Sequence, residues 1–449
     1  MNNLLGRRAV VIGSGVAGLS TAAVLSGHFD QVDVLERDKI TASVQSRPGI
    51  PQDRHPHGLL VGGLKALEEI LPGFEHDLAA AGAVPVKVAK EVRVERTAVG
   101  ALPERDFGLS LLCASRPLIE YVLRQRVLAI GNVSLRSGCR VVRMLELAGI
   151  VRGVQFDTGP TRSETLESDL VVDASGRGAP TLSLLDALGR ARPETSEITF
   201  EVGYSTALVR FAAHDLPRWK IVLTEANPPQ SALKAIFMPM EGDRWYITIA
   251  DHAAVRRLQT WDDFISACSE LKLPTLSGIL GHAEPIETIR HFGFSANRWH
   301  HFEQLDRLPR GVLPIGDALC RFNPTYGQGM SSAALQARLL RAVLKSSTQE
   351  ADPIAAAQAA FMSGVQSVVQ QPWRMATGAD LAFPEARGER PEGFEENRQF
   401  QAKLTLAAVV DPVVHRALIE VGQLLLPPTI LREPHMQARI EAGAAEMAA

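Results

Sequence analysis

The chain has little cysteine, no long apolar run and no excess of charge of either sign. Its four cysteines, Cys113, Cys139, Cys268 and Cys320, lie far apart and form no Cys-x-x-Cys pair. That argues against a disulfide framework and a zinc ribbon and leads us to expect buried free thiols in a reducing cytoplasm. No stretch of about 18 uncharged apolar residues occurs, so no membrane span is expected. The run Ala9–Ile12 is only strand-length and is followed by glycines, which does not match a secretory leader. Lys plus Arg number 47 against 50 Asp plus Glu, a net charge of -3, with the basic residues scattered among acids. No nucleic-acid partner is expected from such a balance. Hydrophobic residues at 46% and charged residues at 22% exclude disorder, collagen and coiled coil. The 449 residues allow two to three domain-sized units.

Residues 8–12 (RAVVI) read as a buried parallel strand, β-branched and bounded by glycine. Gly13, Gly15 and Gly18 follow, then a helix of small residues from Val16 to about Ser26, then a second strand at Val32–Leu35. This is G-x-G-x-x-G between strand and helix. Gly13 permits the tight turn, Gly15 admits a pyrophosphate, and Gly18 lets helix pack on strand. The helix N-terminus offers free N–H groups to phosphate. Glu36, with Arg37 beside it, ends the second strand and is placed to accept from ribose hydroxyls. An acid there repels a 2′-phosphate and favours the adenosine of FAD or NAD.

Farther on, residues 41–58 form a long loop rich in Pro, Gly and charge. Helical periodicity occupies 59–82 and 117–130, and short strands fall in 133–157. SDLVVD at 168–173 is another buried parallel strand. From about 195 to 300 the pattern alternates with period two and is rich in aromatic and β-branched residues, which predicts an antiparallel sheet. GVLPI at 311–315 returns to a parallel-type strand, and a helix starts near Met330. The expected class is α/β: a Rossmann-type dinucleotide-binding domain, an antiparallel-sheet substrate domain and a helical C-terminal region. The boundaries drawn are 1–190 and 306–345 for the dinucleotide-binding parts, 191–305 for the sheet and 346–449 for the helices.

Two distant segments choose flavin. GVLPIGDA at 311–318 resembles the strand-plus-Gly-Asp segment of para-hydroxybenzoate-hydroxylase-like flavoproteins of glutathione-reductase-like fold. The resemblance implies that Asp317 bonds the ribityl chain and that Gly316 allows close approach. In FNPTYGQGM, Pro324, Gly327, Gly329 and Met330 would face the flavin N1/O2 edge. DLVVDASGRGAP resembles the family's Asp-Gly region, with Asp173 in the acidic place and Ala174 where glycine is usual. SRPGIPQ and ASRPLIE place Arg47 and Arg116 toward the cofactor. Taken together, RPGIPQ, ASRPLIE, VVDASGRGAP, GDA and FNPTYGQGM are similar to bacterial flavin epoxidases that oxidise polyene precursors of polyether antibiotics. That implies FAD, O2, a hydroperoxide at flavin C4a and oxygen insertion into a lipophilic alkene, in the cytoplasm. A single dinucleotide turn implies electrons from NAD(P)H docking transiently, or from a separate flavin reductase.

The middle sheet offers few bases. Tyr204, Tyr246, His291 and His300 are expected in core or rim roles. The apolar faces of 235–240, 245–249 and 292–294 are candidate pocket walls. Arg54-His55-Pro56-His57 lacks a third ligand, so no metal is expected. Residues 404–426 are apolar but contain Asp411, His415, Arg416 and Glu420, which predicts a buried amphipathic helix. Halogenation ranks lower, because Trp245 is followed by Tyr-Ile-Thr and not by the Trp-x-Trp-x-Ile-Pro segment of flavin halogenases. Other readings are an aromatic hydroxylase, an isoprenoid reductase and a non-catalytic lipid-binding protein of the same fold.

Overall fold

The structure, a computed structural model, describes residues 4–252 and 256–449. Its centre is a five-stranded parallel sheet in the order Val312–Pro314, Leu170–Asp173, Gly6–Ile12, Phe29–Glu36, Val133–Ser137. Strand runs such as Ala9-Val10-Val11 and Leu170-Val171-Val172 are buried on both faces, which is why they read as unbroken apolar runs rather than alternating ones. Helices Val16–Leu25, Arg116–Leu128 and Gly329–Ser346 pack on one face, where Leu19, Leu25, Ile119, Leu123 and Leu340 make the largest core. A three-stranded antiparallel sheet, Arg140–Leu147, Ile150–Asp157 and Ser163–Glu167, covers the other face through Met144, Val154 and Phe156.

The chain leaves the parallel sheet after Asp173 and returns at Val312. The excursion builds a second, larger sheet. Its path runs Cys320–Arg321, Arg290–His300, Thr195–Arg210, Arg244–Asp251, Leu233–Met240, Ile221–Thr224, Val92–Arg96, Gly100–Ala101. Neighbours are antiparallel except where Ile221–Thr224 meets Val92–Arg96 in parallel, so residues from the first 190 complete this sheet. Alternation sorts its side chains. Ala235, Phe237, Trp245, Ile247 and Ile249 face helices Trp261–Ser269 and Thr275–Leu280, with Phe237 stacked on Trp245 at 4.8 Å. Met238, Met240 and Tyr246 face the opposite way, against Val61, Val86 and Cys113. The two helices were not foreseen, although Thr260 and Asp263 form a reciprocal capping box at the start of the first.

The C-terminal region is helical: Pro353–Asp380, Phe394–Val410, Pro412–Gly422 and Pro434–Ala448. Leu404, Ala407 and Ala408 are buried against Val414 and Ile440, as an amphipathic packing layer requires. Asp411 interrupts the apolar run at 404–426 by capping the next helix, accepting from the N–H of Val413 and Val414. No helix among the described residues is long and apolar enough to cross a membrane. All four cysteines are buried free thiols.

Candidate functional site

The strand Gly6–Ile12 delivers the chain into a turn that needs its glycines. Gly13 adopts φ +100°, and a Cβ there would lie 2.6 Å from the Ala174 carbonyl oxygen. A Cβ on Gly18 would lie 1.9 Å from the Gly13 oxygen. Gly15 is the N-cap of helix Val16–Leu25, with no side chain capping that end. The first-turn N–H groups are therefore left to a ligand.

A charge cluster surrounds this turn. Glu36 is buried and accepts from the Ser14 N–H at 2.8 Å, the Ser14 hydroxyl at 2.8 Å and the Asp38 N–H at 2.9 Å. Arg47 Nη1 lies 3.1 Å from Glu36 and 3.2 Å from Ser14 Oγ, and its Nη2 donates to Glu120. Arg116 Nε donates to the other Glu120 oxygen at 2.9 Å. Burial alone would raise the Glu36 carboxyl; the Asp38 N–H, Arg47 and Ser14 outweigh it and hold the pKa below the usual value. Burial likewise opposes charge on Arg47, and Glu120 and Glu36 reverse this and raise it. Arg116 Nη2 and Glu120 Oε1 stand 3.9 and 3.8 Å from where a Gly15 Cβ would be. The structure thus gathers Gly13, Gly15, Gly18, Glu36, Arg47 and Arg116 at one place. Glu120, not singled out from sequence, sits one helical turn past Arg116 and holds both arginines. Arg37 is exposed and makes a long contact, 3.4 Å, to the Gly49 carbonyl.

The second segment meets the same turn. Gly316 adopts φ +67°, and a Cβ there would lie 2.6 Å from the Ala17 methyl. Asp317 is next to it, half-buried, its carboxyl pushed up by burial, with Arg321 and Arg116 opposing. It makes no hydrogen bond among the described residues and lies beside Gly329, at the start of the helix bearing Met330. Gly327 adopts φ +66° after the turn Pro324–Tyr326. Gln328 Oε1 is buried without a partner among the described residues. Unfilled acceptors at Asp317 and Gln328, and a cradle that Cβ atoms would close, fit a flavin nucleotide carrying many hydroxyls. Asp173 stands apart. Its oxygens accept from the Ser175 N–H at 3.1 Å, the Thr181 N–H at 3.0 Å and the Thr181 hydroxyl at 2.7 Å. It shapes the loop that packs on Gly13 rather than presenting a free carboxylate.

The candidate pocket walls need correction. Half of 235–240 and 245–249 faces the helices Trp261–Ser269 and Thr275–Leu280, and the other half is closed by Val61, Val86 and Cys113. Near the Asn323–Gly327 loop the sheet presents Tyr204 and Phe292, whose rings lie 5.9 Å apart. Tyr204 donates to Asn323 Oδ1 and is buried. His55 Nδ1 lies 2.6 Å from Thr206 Oγ1, and its ring lies 5.7 Å from that of Phe292. Burial lowers His55 to about 4 and His57 to about 3. His55 ties the 41–58 loop to the sheet, and His57 Nδ1 lies 2.8 Å from the His55 carbonyl within the loop. Tyr246 is buried, while His291 and His300 meet Ser205 and Thr195 at the rim. Asp380, at the last turn of helix Pro353–Asp380, was missed and sits directly behind Asn323 and Tyr326. A separate surface cavity of about 500 Å³, lined by Leu216, Trp219, Ile279 and His282, lies on the helical side of the large sheet, away from the glycine turn.

Comparison with known proteins places this geometry. A family model described as an FAD binding domain matches residues 7–354. Protein Rv3254 of Mycobacterium tuberculosis is 33% identical over 420 residues, spanning 90% of this chain and 87% of that protein. Kynurenine 3-monooxygenase of Salinispora tropica is 25% identical over 374 residues, spanning 79% of this chain and 76% of the enzyme. The flavin-dependent brominase Bmp2 superposes with a TM-score of 0.67 at 16% identity, over 98% of each chain. An oxygenase of 2-methyl-3-hydroxypyridine-5-carboxylic acid superposes with a TM-score of 0.61 at 20% identity, over 88% of this chain and 92% of its own. At such identities the two superpositions speak for the fold alone. The family match takes in the glycine turn, Glu36, Asp317 and the loop after it: the chain belongs to the FAD-binding-domain family, the flavin-dependent monooxygenases of para-hydroxybenzoate-hydroxylase-like fold.

Proposed function

We propose that this flavin-dependent monooxygenase transfers one oxygen atom from O2 to a lipophilic natural product, forming an epoxide at an alkene. The observation that carries the reading is that neither Tyr204 nor His55, on the sheet side of the Asn323–Gly327 loop, is a base poised near neutrality, while Asp380 behind the loop is taken up by three donors. Burial raises the Tyr204 phenol well above its ordinary pKa, and its hydrogen is given to Asn323. His55 is held neutral near pKa 4. An alkene has no proton to lose, whereas oxygenation of a phenol gains from a base poised near neutrality. Phe292, half-buried beside Tyr204, favours an apolar substrate.

In this reading the helix N-terminus at Val16, with Arg47 and Arg116, binds the diphosphate, and Glu36 binds the ribose. Asp317 takes the ribityl chain. Pro324, Gly327, Gly329 and Met330 approach the edge of the ring, and Asp173 acts only through the loop it shapes. FAD, when bound, supplies the activation of O2. The protein orients the substrate and excludes water. The electron donor is NAD(P)H or a separate flavin reductase. Aromatic hydroxylation is the second reading, favoured by the name of the Salinispora relative.

The test is to reduce the FAD-loaded enzyme without air, then add oxygen-18-labelled O2 and a candidate polyene. The product should carry one labelled oxygen, and the transfer rate should vary little between about pH 6.5 and 8.5. Oxygen derived from water excludes the monooxygenase reading. A saturated product formed without O2 moves the protein to the isoprenoid reductases. A steep pH dependence with a phenol as best substrate establishes the hydroxylase.

A further inference from the structure

The loop Asn323–Gly327 is held from behind by a buried carboxylate from the other end of the chain. Asp380 is wholly buried. Its Oδ2 accepts from Asn297 Nδ2 at 2.7 Å. Its Oδ1 accepts from Asn323 Nδ2 at 3.0 Å and from the Tyr326 hydroxyl at 2.8 Å. Asn323 is fixed on its remaining sides: its N–H donates to Asn297 Oδ1, and its Oδ1 accepts from the Tyr204 hydroxyl and the Thr325 N–H. Two of the three donors on Asp380 thus belong to the loop, and the third belongs to the strand behind it.

We infer that Asp380 is the ionised anchor of the Asn323–Gly327 loop, a positioning residue whose negative charge holds that loop ready for the flavin. The inference rests on the reading that this loop faces the ring of FAD. The hydrogen-bond pattern suits the charged form. All three groups around the carboxyl donate, so a proton on either oxygen would displace a donor unless the Tyr326 hydroxyl turned to accept it. The titratable groups that face Asp380 come from each packed element. Tyr204 lies on strand Thr195–Arg210 and Tyr326 on the loop. Lys234, on strand Leu233–Met240, lies 4.7 Å from the centre of the Tyr326 ring and pairs with Glu225 at 3.0 Å. Burial raises the Asp380 carboxyl to about 6, against the hydrogen bonds from Asn297, Tyr326 and Asn323 and the charge of Lys234. The anchor is therefore set above about pH 6 and released below it.

The experiment measures FAD release from the holoenzyme, by recovery of free-flavin fluorescence, at pH values from about 5 to about 8. In the wild type, release should quicken about tenfold on acidification, the loss of one charge-assisted hydrogen bond, with a midpoint near 6. Asp380→Asn should remove the pH dependence. Asp317, also raised by burial, stays in that variant, so a retained profile would shift the effect to it and overturn the inference. Tyr326→Phe removes one donor from the carboxylate and should move the midpoint upward. If Asp380→Asn does not fold, an unmoved midpoint in Tyr326→Phe overturns the anchor. Release that is independent of pH in the wild type does the same. If the wild type retains no FAD, it is the flavin-facing reading of the loop that fails. The anchor is then read from thermal stability of the FAD-free protein. A carboxyl whose folded pKa exceeds its unfolded one contributes stability at low pH that is lost as pH rises through about 6. The wild-type midpoint relative to Asp380→Asn should therefore fall from about pH 5 to about pH 7; a constant difference overturns the anchor.

Discussion

A buried carboxylate costs free energy unless donors surround it, and the acids of this site meet that demand differently. Glu36 takes Ser14, the Asp38 N–H and Arg47; Asp173 takes the Ser175 N–H and Thr181. Asp317 alone among these three has no donor among the described residues, though burial already pushes its carboxyl up. A hydroxyl-bearing ligand would supply what is missing, and the ribityl chain of FAD is such a ligand. Asp317→Ala should therefore spare the fold and weaken FAD binding by roughly tenfold to a hundredfold, the worth of a charge-assisted hydrogen bond of about 1.5–3 kcal/mol. Titration of the FAD-free protein with FAD measures it, and an unchanged affinity in a folded variant removes Asp317 from the site.

At the scale of elements, the local signals were legible and the long-range ones were not. The glycine turn was readable because strand, turn, helix and acid lie within 31 residues of one another, from Gly6 to Glu36. The large sheet was readable from its period-two alternation. The pairing of Val92–Arg96 with Ile221–Thr224 was not, since nothing local tells a strand which distant edge it will join. Alternation also does not say what covers each face, which is why core residues of 235–240 and 245–249 read as pocket walls. Asp380 left one faint signal: an acid in the last turn of a helix opposes the macrodipole and needs a compensating partner. The C-terminal helices carry a further consequence. Arg105 donates to the Ala408 and Val409 carbonyls at 2.8 and 2.7 Å, closing the end of helix Phe394–Val410, and its Nη1 lies 3.0 Å from His415 Nδ1. An arginine only donates, so His415 must be neutral there, and burial lowers it to about 4. A histidine with a depressed folded pKa contributes stability that is present above about 6.5 and lost as pH falls through about 4. Hydrogen exchange of Phe394–Val410 and Pro412–Gly422, corrected for the intrinsic rate, should show protection falling across that window. Arg105→Ala should lower protection at neutral pH by about 1–3 kcal/mol, the cost of leaving buried acceptors unmade. Equal protection at both pH values, or in both proteins, contradicts this account.

For the whole molecule, the order of the chain matters more than any single contact. Gly13, Gly15, Gly18, Glu36, Arg47 and Arg116 precede the main body of the large sheet, the strands from Thr195 to His300, whereas Asp317, Gly327 and Gly329 follow it. Strand Val312–Pro314 pairs with Leu170–Asp173 across the whole of that intervening passage. A ligand that binds both groups links the two passages of the chain through the parallel sheet. Binding to the folded state alone stabilises it by about 2.7 kcal/mol at a hundred times the Kd. FAD at that excess should raise the thermal midpoint by several degrees, in proportion to that free energy. It should also slow amide exchange in Gly6–Ile12 and in Val312–Pro314 together. In Asp317→Ala the same FAD concentration should give a smaller rise, because the excess over Kd is smaller. Slowing confined to the first strand would mean that FAD is held by the glycine turn alone, and that the segment from Val312 to Gly329 takes no part in binding it.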